Sequence, residues 1–536
     1  MRATTTIFQG GAPEAAIDAT RRAPRTPEWE RGAISFSLAN LCCLRIWAAQ
    51  PPNLTTAAES FLTGPYPIVH YAALFVTETL LAGLIWFWLG WTGSSRKPVR
   101  ILVRTLGVVL FVLICGYNIR SQFIRFDLPL ITWSPRRFAA APLASLSCVF
   151  VLGFILYRAG ATRLIRGIRG LLVVLCLSAG FNVLAAAWSI ARTDHRAWIA
   201  PATASKFPAG GSRARRVVFV LFDEWDQRLT FDARDKSLKL DEFDRFRAES
   251  LYATHAMQPG PGTQLSIPSI TTGEKADELI VKGPHSLFVK TGDGVYDWQK
   301  MDTIFARARA LGMNVGLVGW YLPYCRVFAS STVDCWNWPW TAQSFPARSN
   351  FLDAFTTQVK SIVETDRFSP WGRSVREIET YRGRSEELEY AVRAAADRTY
   401  GFVYMHLPMT HAPFYYSRAT KAFGTLNNTP DGYLSALAWA DTTLGTIRQA
   451  MQISGVWNDT TVILTADHAL RSAALGGNGD RRVPFLIRTA GHSNHLVVDR
   501  PFNTRILKDL MTGLFDGQIA SQSDIRELLE KAPDGK

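Results

Sequence analysis

The 536-residue sequence predicts two chemically different halves. They are an N-terminal bundle of about five transmembrane helices and a doubly wound α/β domain. Three observations lead there. Five apolar stretches crowd the first 192 residues. A segment rich in Pro, Ala, Gly, Ser and Arg follows at 193–214 and reads as a linker. Beyond it, short unbroken apolar runs alternate with amphipathic stretches, the pattern of buried parallel strands between helices. The composition, 48% hydrophobic and 19% charged, excludes collagen-like and disordered chains. A formal charge of +14 suggests nucleic acid or an anionic membrane as partner. No basic motif or aromatic-basic platform supports nucleic acid, so none is expected.

Residues 1–32 form a polar tail with Arg21, Arg22, Arg25 and Arg31. The transmembrane domain covers 33–192, with apolar stretches near 33–50, 66–92, 101–118, 143–158 and 170–191. A span needs about 20 apolar residues, so these read as five helices. Arginines and Lys97 in the tail, at 96–100 and at 158–169 place those segments in the cytoplasm. With an odd number of helices the C-terminal domain then lies on the periplasmic or extracellular side of the cytoplasmic (inner) membrane. The loop 119–142 breaks the charge rule with four arginines, and its Phe123, Phe126, Trp133 and Pro135 suggest an interfacial segment.

The second domain runs from 215 to 520, with a polar tail at 521–536. Buried-strand runs fall at 217–222, 314–318, 401–406, 461–465 and 483–488. Helical patterns fall near 239–250, 299–311, 350–363, 384–398 and 431–453. Sheets of this kind bind ligands at the carboxyl ends of their strands. Five of seven cysteines lie in the membrane half; Cys325 and Cys335 stand apart in an aromatic-rich loop, as a disulfide in an oxidising compartment would.

Four polar clusters sit where strands should end. Asp223 and Glu224 follow the first strand, where buried acids are costly unless they bind something, typically a metal. The segment Pro261-Gly262-Thr263-Gln264-Leu265-Ser266 leads into a short helix, with Thr263 at an N-terminus that favours negative charge. His406 and His411 follow a third strand, and Asp467-His468 a fourth. Carboxylates, a hydroxyl and histidines at successive strand ends describe an oxygen- and nitrogen-rich metal site beside a nucleophile.

In that order the clusters resemble the alkaline phosphatase superfamily, specifically its sulfatase-like branch. Thr263-x-x-Ser266-x-Pro268 is similar to the nucleophile segment of phosphoethanolamine transferases. Thr263 stands ten residues before Gly273, as the sulfatase nucleophile does before its Thr-Gly. The segment from Tyr433 to Gly445 and the Arg482-Val483-Pro484-Phe485 stretch resemble the elements flanking the family's last catalytic strand. Membrane helices before the domain also match those transferases and the lipoteichoic acid synthases.

The resemblance implies that Thr263 is a nucleophile that becomes phosphorylated, and that Asp467, His468 and Thr263 bind a divalent metal, Zn²⁺ or Mn²⁺. Asp223 and Glu224 share the position of the first-strand ligand, and the choice between them stays open. His411 would face the substrate, as a catalytic residue assisting proton transfer, or a second metal, with His406 a further substrate-binding candidate. Two departures bear on substrate. The Cys/Ser-x-Pro-x-Arg motif of true sulfatases is absent, which disfavours sulfate esters. Where the transferases carry a His after Asn-Gly, Asn478-Gly479 is followed by Asp480-Arg481-Arg482, whose arginines would bind a phosphate oxygen or cap the surface. The expected activity is transfer of a phosphoethanolamine- or phosphoglycerol-type group from a phospholipid donor to an envelope glycan or lipid acceptor. A phosphodiesterase or sulfuric ester hydrolase of the same fold is the alternative.

Overall fold

The structure is a computed structural model and describes residues 27–48, 68–91, 107, 114, 162–192, 201–208, 215–283, 285–338, 350–363, 375–424, 427–491 and 494–533. The chain divides into two compact units.

Three long helices mark the N-terminal part: α1 (Glu28–Ala48), α2 (Ile68–Trp91) and α3 (Thr162–Arg192). They fall on the first, second and fifth expected spans. The third and fourth lie outside the described residues, apart from Gly107 and Ile114. Among the described residues, two helices are long and apolar enough to cross a membrane, Ile68–Trp91 and Arg166–Trp188. Leu177, Phe181 and Leu184 on α3 are exposed, an apolar face that water would not tolerate cheaply. Within this unit α1 and α3 are joined by polar groups. Asn40 Nδ2 donates to Ser178 Oγ at 2.9 Å, and Asn182 Nδ2 donates to Asn40 Oδ1 at 2.9 Å. Such interhelical bonds register helices in an apolar setting, where hydrophobic contact alone is undirected.

The second unit is built on an eight-stranded sheet. In chain order its strands are β1 (Arg216–Phe222), β2 (Leu251–Ala253), β3 (Val315–Trp320), β4 (Asp334–Trp338), β5 (Phe402–Leu407), β6 (Thr460–Ala466), β7 (Phe485–Arg488) and β8 (Leu496–Val498). Their spatial order is β8-β2-β7-β6-β1-β5-β3-β4. All neighbours run parallel except the two pairings made by β7. The central strands are hydrophobic throughout because helices cover both faces; Val217 to Phe222 are fully buried. A small antiparallel sheet of Glu278–Gly283, Ser286–Thr291 and Gly294–Asp297 sits apart from the main one.

Register decides which side chains meet. Phe222 pairs with Ala466 on one side and Leu407 on the other. The next residues of β1 and β6 are Asp223 and Asp467, so two carboxylates leave adjacent strands at the same level. His406 pairs with Leu221, two residues before Asp223, and so shares its face of the sheet. The disulfide Cys325–Cys335, with Cα atoms 5.5 Å apart, ties the short helix Tyr324–Val327 to the edge strand β4.

Candidate active site

Thr263 opens α4 (Thr263–Thr272), whose N-cap Gly262 offers no side-chain cap. Leu265 and Ser266 amides already bond to the Gly262 carbonyl, which leaves the earliest amides of the turn to an outside acceptor. The Thr263 hydroxyl donates to Asp467 Oδ2 at 2.7 Å and lies 3.5 Å from Asp223 Oδ2 and 3.4 Å from His468 Nε2. All four side chains are buried.

His406 joins this group rather than standing apart from it. Its Nε2 lies 3.7 Å from Asp223 Oδ2 and 3.8 Å from Asp467 Oδ2. Asp223, His406 and Asp467 each offer a ligand atom, all within 4.8 Å of one another. Two of the atoms turned to this centre, Asp223 Oδ1 and His406 Nε2, are buried and without a hydrogen-bond partner. Orphaned polar atoms of this kind are costly unless something binds them. Carboxylate oxygen and neutral imidazole suit a divalent transition metal, so the residues fit the metal that the sequence implied. His468 Nε2, at 3.5 Å from Asp223 Oδ1, sits at the rim of the same cluster.

Electrostatics follow the same lines. Burial, with the Asp467 and Glu224 carboxylates nearby, raises Asp223 well above the usual carboxylate range. Asp467 is held low despite its own burial, because His468, His406 and the Thr263 hydroxyl stabilise its anion. The pair therefore holds one proton more readily than none in the absence of a cation. Desolvation pushes His406 down to about 4 and also lowers His411, so both imidazoles are neutral at pH 7.

Several positioning groups lay beyond sequence reasoning. Trp320, at the end of β3, donates its indole N–H to Asp223 Oδ2 at 3.0 Å, and its ring lies 4.9 Å from that of His411. The Tyr324 hydroxyl meets His406 Nδ1 at 2.9 Å, which orients the imidazole with Nε2 toward the carboxylates. Gly319 permits this, since a Cβ there would lie 2.5 Å from the Tyr324 ring. Arg384, buried in the helix Val375–Ala396, donates to the carbonyls of His411 at 2.7 Å and Pro413 at 3.1 Å. Thr410 Oγ1 donates to the Asp223 carbonyl, so the whole 410–413 turn is anchored beside β1.

The structure separates the two candidate acids. Glu224 has φ +60°, and this left-handed turn sends its carboxylate away from Asp467 toward Arg471, whose Nε donates to Glu224 Oε1 at 3.1 Å. Arg482, expected at the substrate, pairs with Asp480 at 2.7 Å and Asp232 at 2.9 Å. Arg481 is exposed, and its carbonyl accepts from the Gln258 amide.

The sequence profile of the sulfatase family matches residues 215–516, more than half of the chain. The chain belongs to the sulfatase family and is an enzyme of the alkaline phosphatase superfamily. The solved structures to which the chain is similar are distant. A phosphonate monoester hydrolase of Agrobacterium radiobacter is 17% identical over 60% of this chain and 78% of its own, with a TM-score of 0.39. A sulfatase from a Pseudoalteromonas species is 14% identical over 57% and 69%, with a TM-score of 0.38. An alkaline phosphatase superfamily protein of Vibrio parahaemolyticus is 16% identical over 58% and 69%, with a TM-score of 0.35. No curated protein matches the chain.

Proposed function

We propose that this is a multi-pass membrane enzyme that moves a phospho-substituent, of phosphoethanolamine or phosphoglycerol type, from a phospholipid to a hydroxyl of an envelope glycan or lipid through phospho-Thr263. The observation that carries the reading is the Thr263 hydroxyl itself, at an uncapped helix end and bonded to Asp467 at 2.7 Å. Formylglycine is an aldehyde, and the secondary alcohol of Thr could be oxidised only to a ketone, so Thr263 serves as a direct nucleophile. The two apolar helices support a site tethered beside a lipid donor, which raises the effective donor concentration.

Asp223, His406 and Asp467, with Thr263 and His468, would hold the metal, a Zn²⁺ or Mn²⁺ ion. Bound there, it acts as a Lewis acid that acidifies the Thr263 hydroxyl and offsets charge at phosphorus. In the first half-reaction Thr263 Oγ1 bonds to phosphorus and the bond to the glycerol oxygen breaks. Asp467 takes the Thr263 proton, and the leaving glycerol oxygen, on the opposite side of phosphorus, is protonated by water, releasing diacylglycerol. In the second, an acceptor hydroxyl attacks from that opposite side and loses its proton to the hydroxide left there, the bond to Thr263 breaks, and Asp467 returns its proton to Thr263. His411, kept neutral by burial, is the base that relays the acceptor proton.

The test is the full chain in vesicles with a headgroup-labelled phospholipid. Thr263→Ala should end transfer and remove the phosphorylated Thr263 peptide from mass spectra of the quenched enzyme. Full turnover in that variant would reject the scheme. Family membership also favours a hydrolytic reading, phosphodiesterase or sulfuric ester hydrolase, and headgroup or sulfate release without any acceptor would establish it.

A further inference from the structure

We infer that Arg471 is the residue that grips the charged oxygens of the reacting ester, and that Glu224 serves to hold it there rather than to bind metal. The substrate class this implies is a tetrahedral oxyanion ester, phosphate or sulfate. The inference rests on Thr263 being the reacting group.

Three placements carry it. Arg471 follows Asp467-His468 by a short turn, so the strand end that supplies the carboxylate partner of Thr263 also carries a guanidinium. Its Nε edge is taken by Glu224 Oε1 at 3.1 Å, while its side chain remains 54% exposed against 7% for the glutamate. A buried anion thus anchors a cation whose other edge reaches solvent. The guanidinium also lies against Gly262, the residue before Thr263: a Cβ there would stand 3.0 Å from Nη1 and 3.8 Å from Cζ. Nη1 therefore lies beside the N-cap of α4. In the metal cluster beside Thr263, Asp223 Oδ1 and His406 Nε2 are buried without a hydrogen bond.

The chemistry suits the arrangement. A planar guanidinium with one edge tied keeps a pair of N–H donors free, and that fork matches two oxygens of a phosphate or sulfate group. Helix amides supply further donors to the same anion. The left-handed Glu224 backbone, φ +60°, then has a purpose: it splits consecutive acids so that Asp223 faces the metal cluster and Glu224 faces the arginine.

The experiment uses the metal-loaded full chain in detergent and calorimetric titration with inorganic phosphate and, separately, inorganic sulfate. Arg471→Met should weaken binding of the preferred anion by about 10- to 100-fold, the loss expected for a charge-assisted fork. Arg471→Lys should regain part of it, since charge returns without the fork. Metal affinity, read by chelator competition, should move far less than anion affinity in Arg471→Met and should not collapse in Glu224→Gln, since each charge acts on the cluster only through Asp223. Wild-type anion affinity in Arg471→Met overturns the assignment, and a large loss of metal in Glu224→Gln overturns the role given to Glu224. Arg471 is half-exposed and outside the core, so its two variants report on binding rather than folding, and Glu224→Gln keeps the size of the buried side chain. Anion binding that depends on Arg471 in a protein that never forms phospho-Thr263 would keep this inference and sink the transfer reading instead.

Discussion

Replacing Trp320 by Phe isolates one hydrogen bond. The indole N–H donates to Asp223 Oδ2 at 3.0 Å, while Asp223 Oδ1 has no hydrogen bond. Phe keeps an aromatic ring against His411, which lies 4.9 Å away, so the loss is largely the bond. A hydrogen bond to a charged, buried group contributes about 1.5–3 kcal/mol. That bond stabilises the anion of a carboxyl whose burial already favours the proton. Without it, the proton competes better with a metal for Asp223. Converted at about 1.4 kcal/mol per tenfold, metal affinity at pH 7 should fall about 10- to 100-fold, the range typical of losing a group behind a ligand. The deficit should shrink as pH rises and the proton leaves by itself. Chelator competition on full-length protein at two pH values measures both effects. Unchanged affinity at pH 7, or a deficit independent of pH, would refute the reasoning.

Two further outcomes test the frame around the site. Asp441 is buried, accepts from the Phe243 amide at 2.7 Å, and is raised to about 6, chiefly by desolvation. A carboxyl raised on folding binds protons more tightly in the native state, so its contribution is present below about pH 4 and lost as pH climbs through 6. Asp441→Asn keeps an acceptor without the charge and should stabilise the protein above pH 6 by about 2–3 kcal/mol, with little gain at pH 4; equal midpoints of thermal unfolding at both pH values would contradict this. Removing both cysteines of the Cys325–Cys335 pair opens a ten-residue loop and should cost about 2–3 kcal/mol, seen as a lower unfolding temperature without reductant; an unshifted temperature would remove the disulfide from the account of stability.

Much of this architecture was legible beforehand, for physical reasons. Strands buried on both faces must be apolar throughout, so β1, β3, β5, β6 and β7 stood out as uninterrupted runs, and the acids and histidines at their ends marked the site. The antiparallel direction of β7 was not legible, because an apolar run has no arrow. The edge strand β4 was missed since its residues are only half-buried and read as a loop of Trp, Cys and Asp. Within the site, Asp223, Thr263 and Asp467 announced themselves by neighbouring a strand end or a glycine. Trp320, Tyr324 and Arg384 did not. Each acts through a partner from 27 to 97 residues away, Asp223, His406 and His411, and only the folded sheet makes them neighbours. Asp223 and Glu224 were indistinguishable until backbone conformation sent them in different directions.

The wide spacing of the metal cluster along the chain has its own consequence. Thr263 is 40 residues from Asp223 and 204 from Asp467, and His406 comes from a strand between them. No fragment lacking β1, β5 or β6 can assemble the centre, because its donors meet only after these strands lie side by side. An ion seated there would act as a rivet through the middle of the sheet. At a free concentration a thousand times its dissociation constant it would add about 4 kcal/mol to the stability of the entire α/β domain, not of one loop. Removing the metal should then lower the unfolding temperature of the whole domain in one transition.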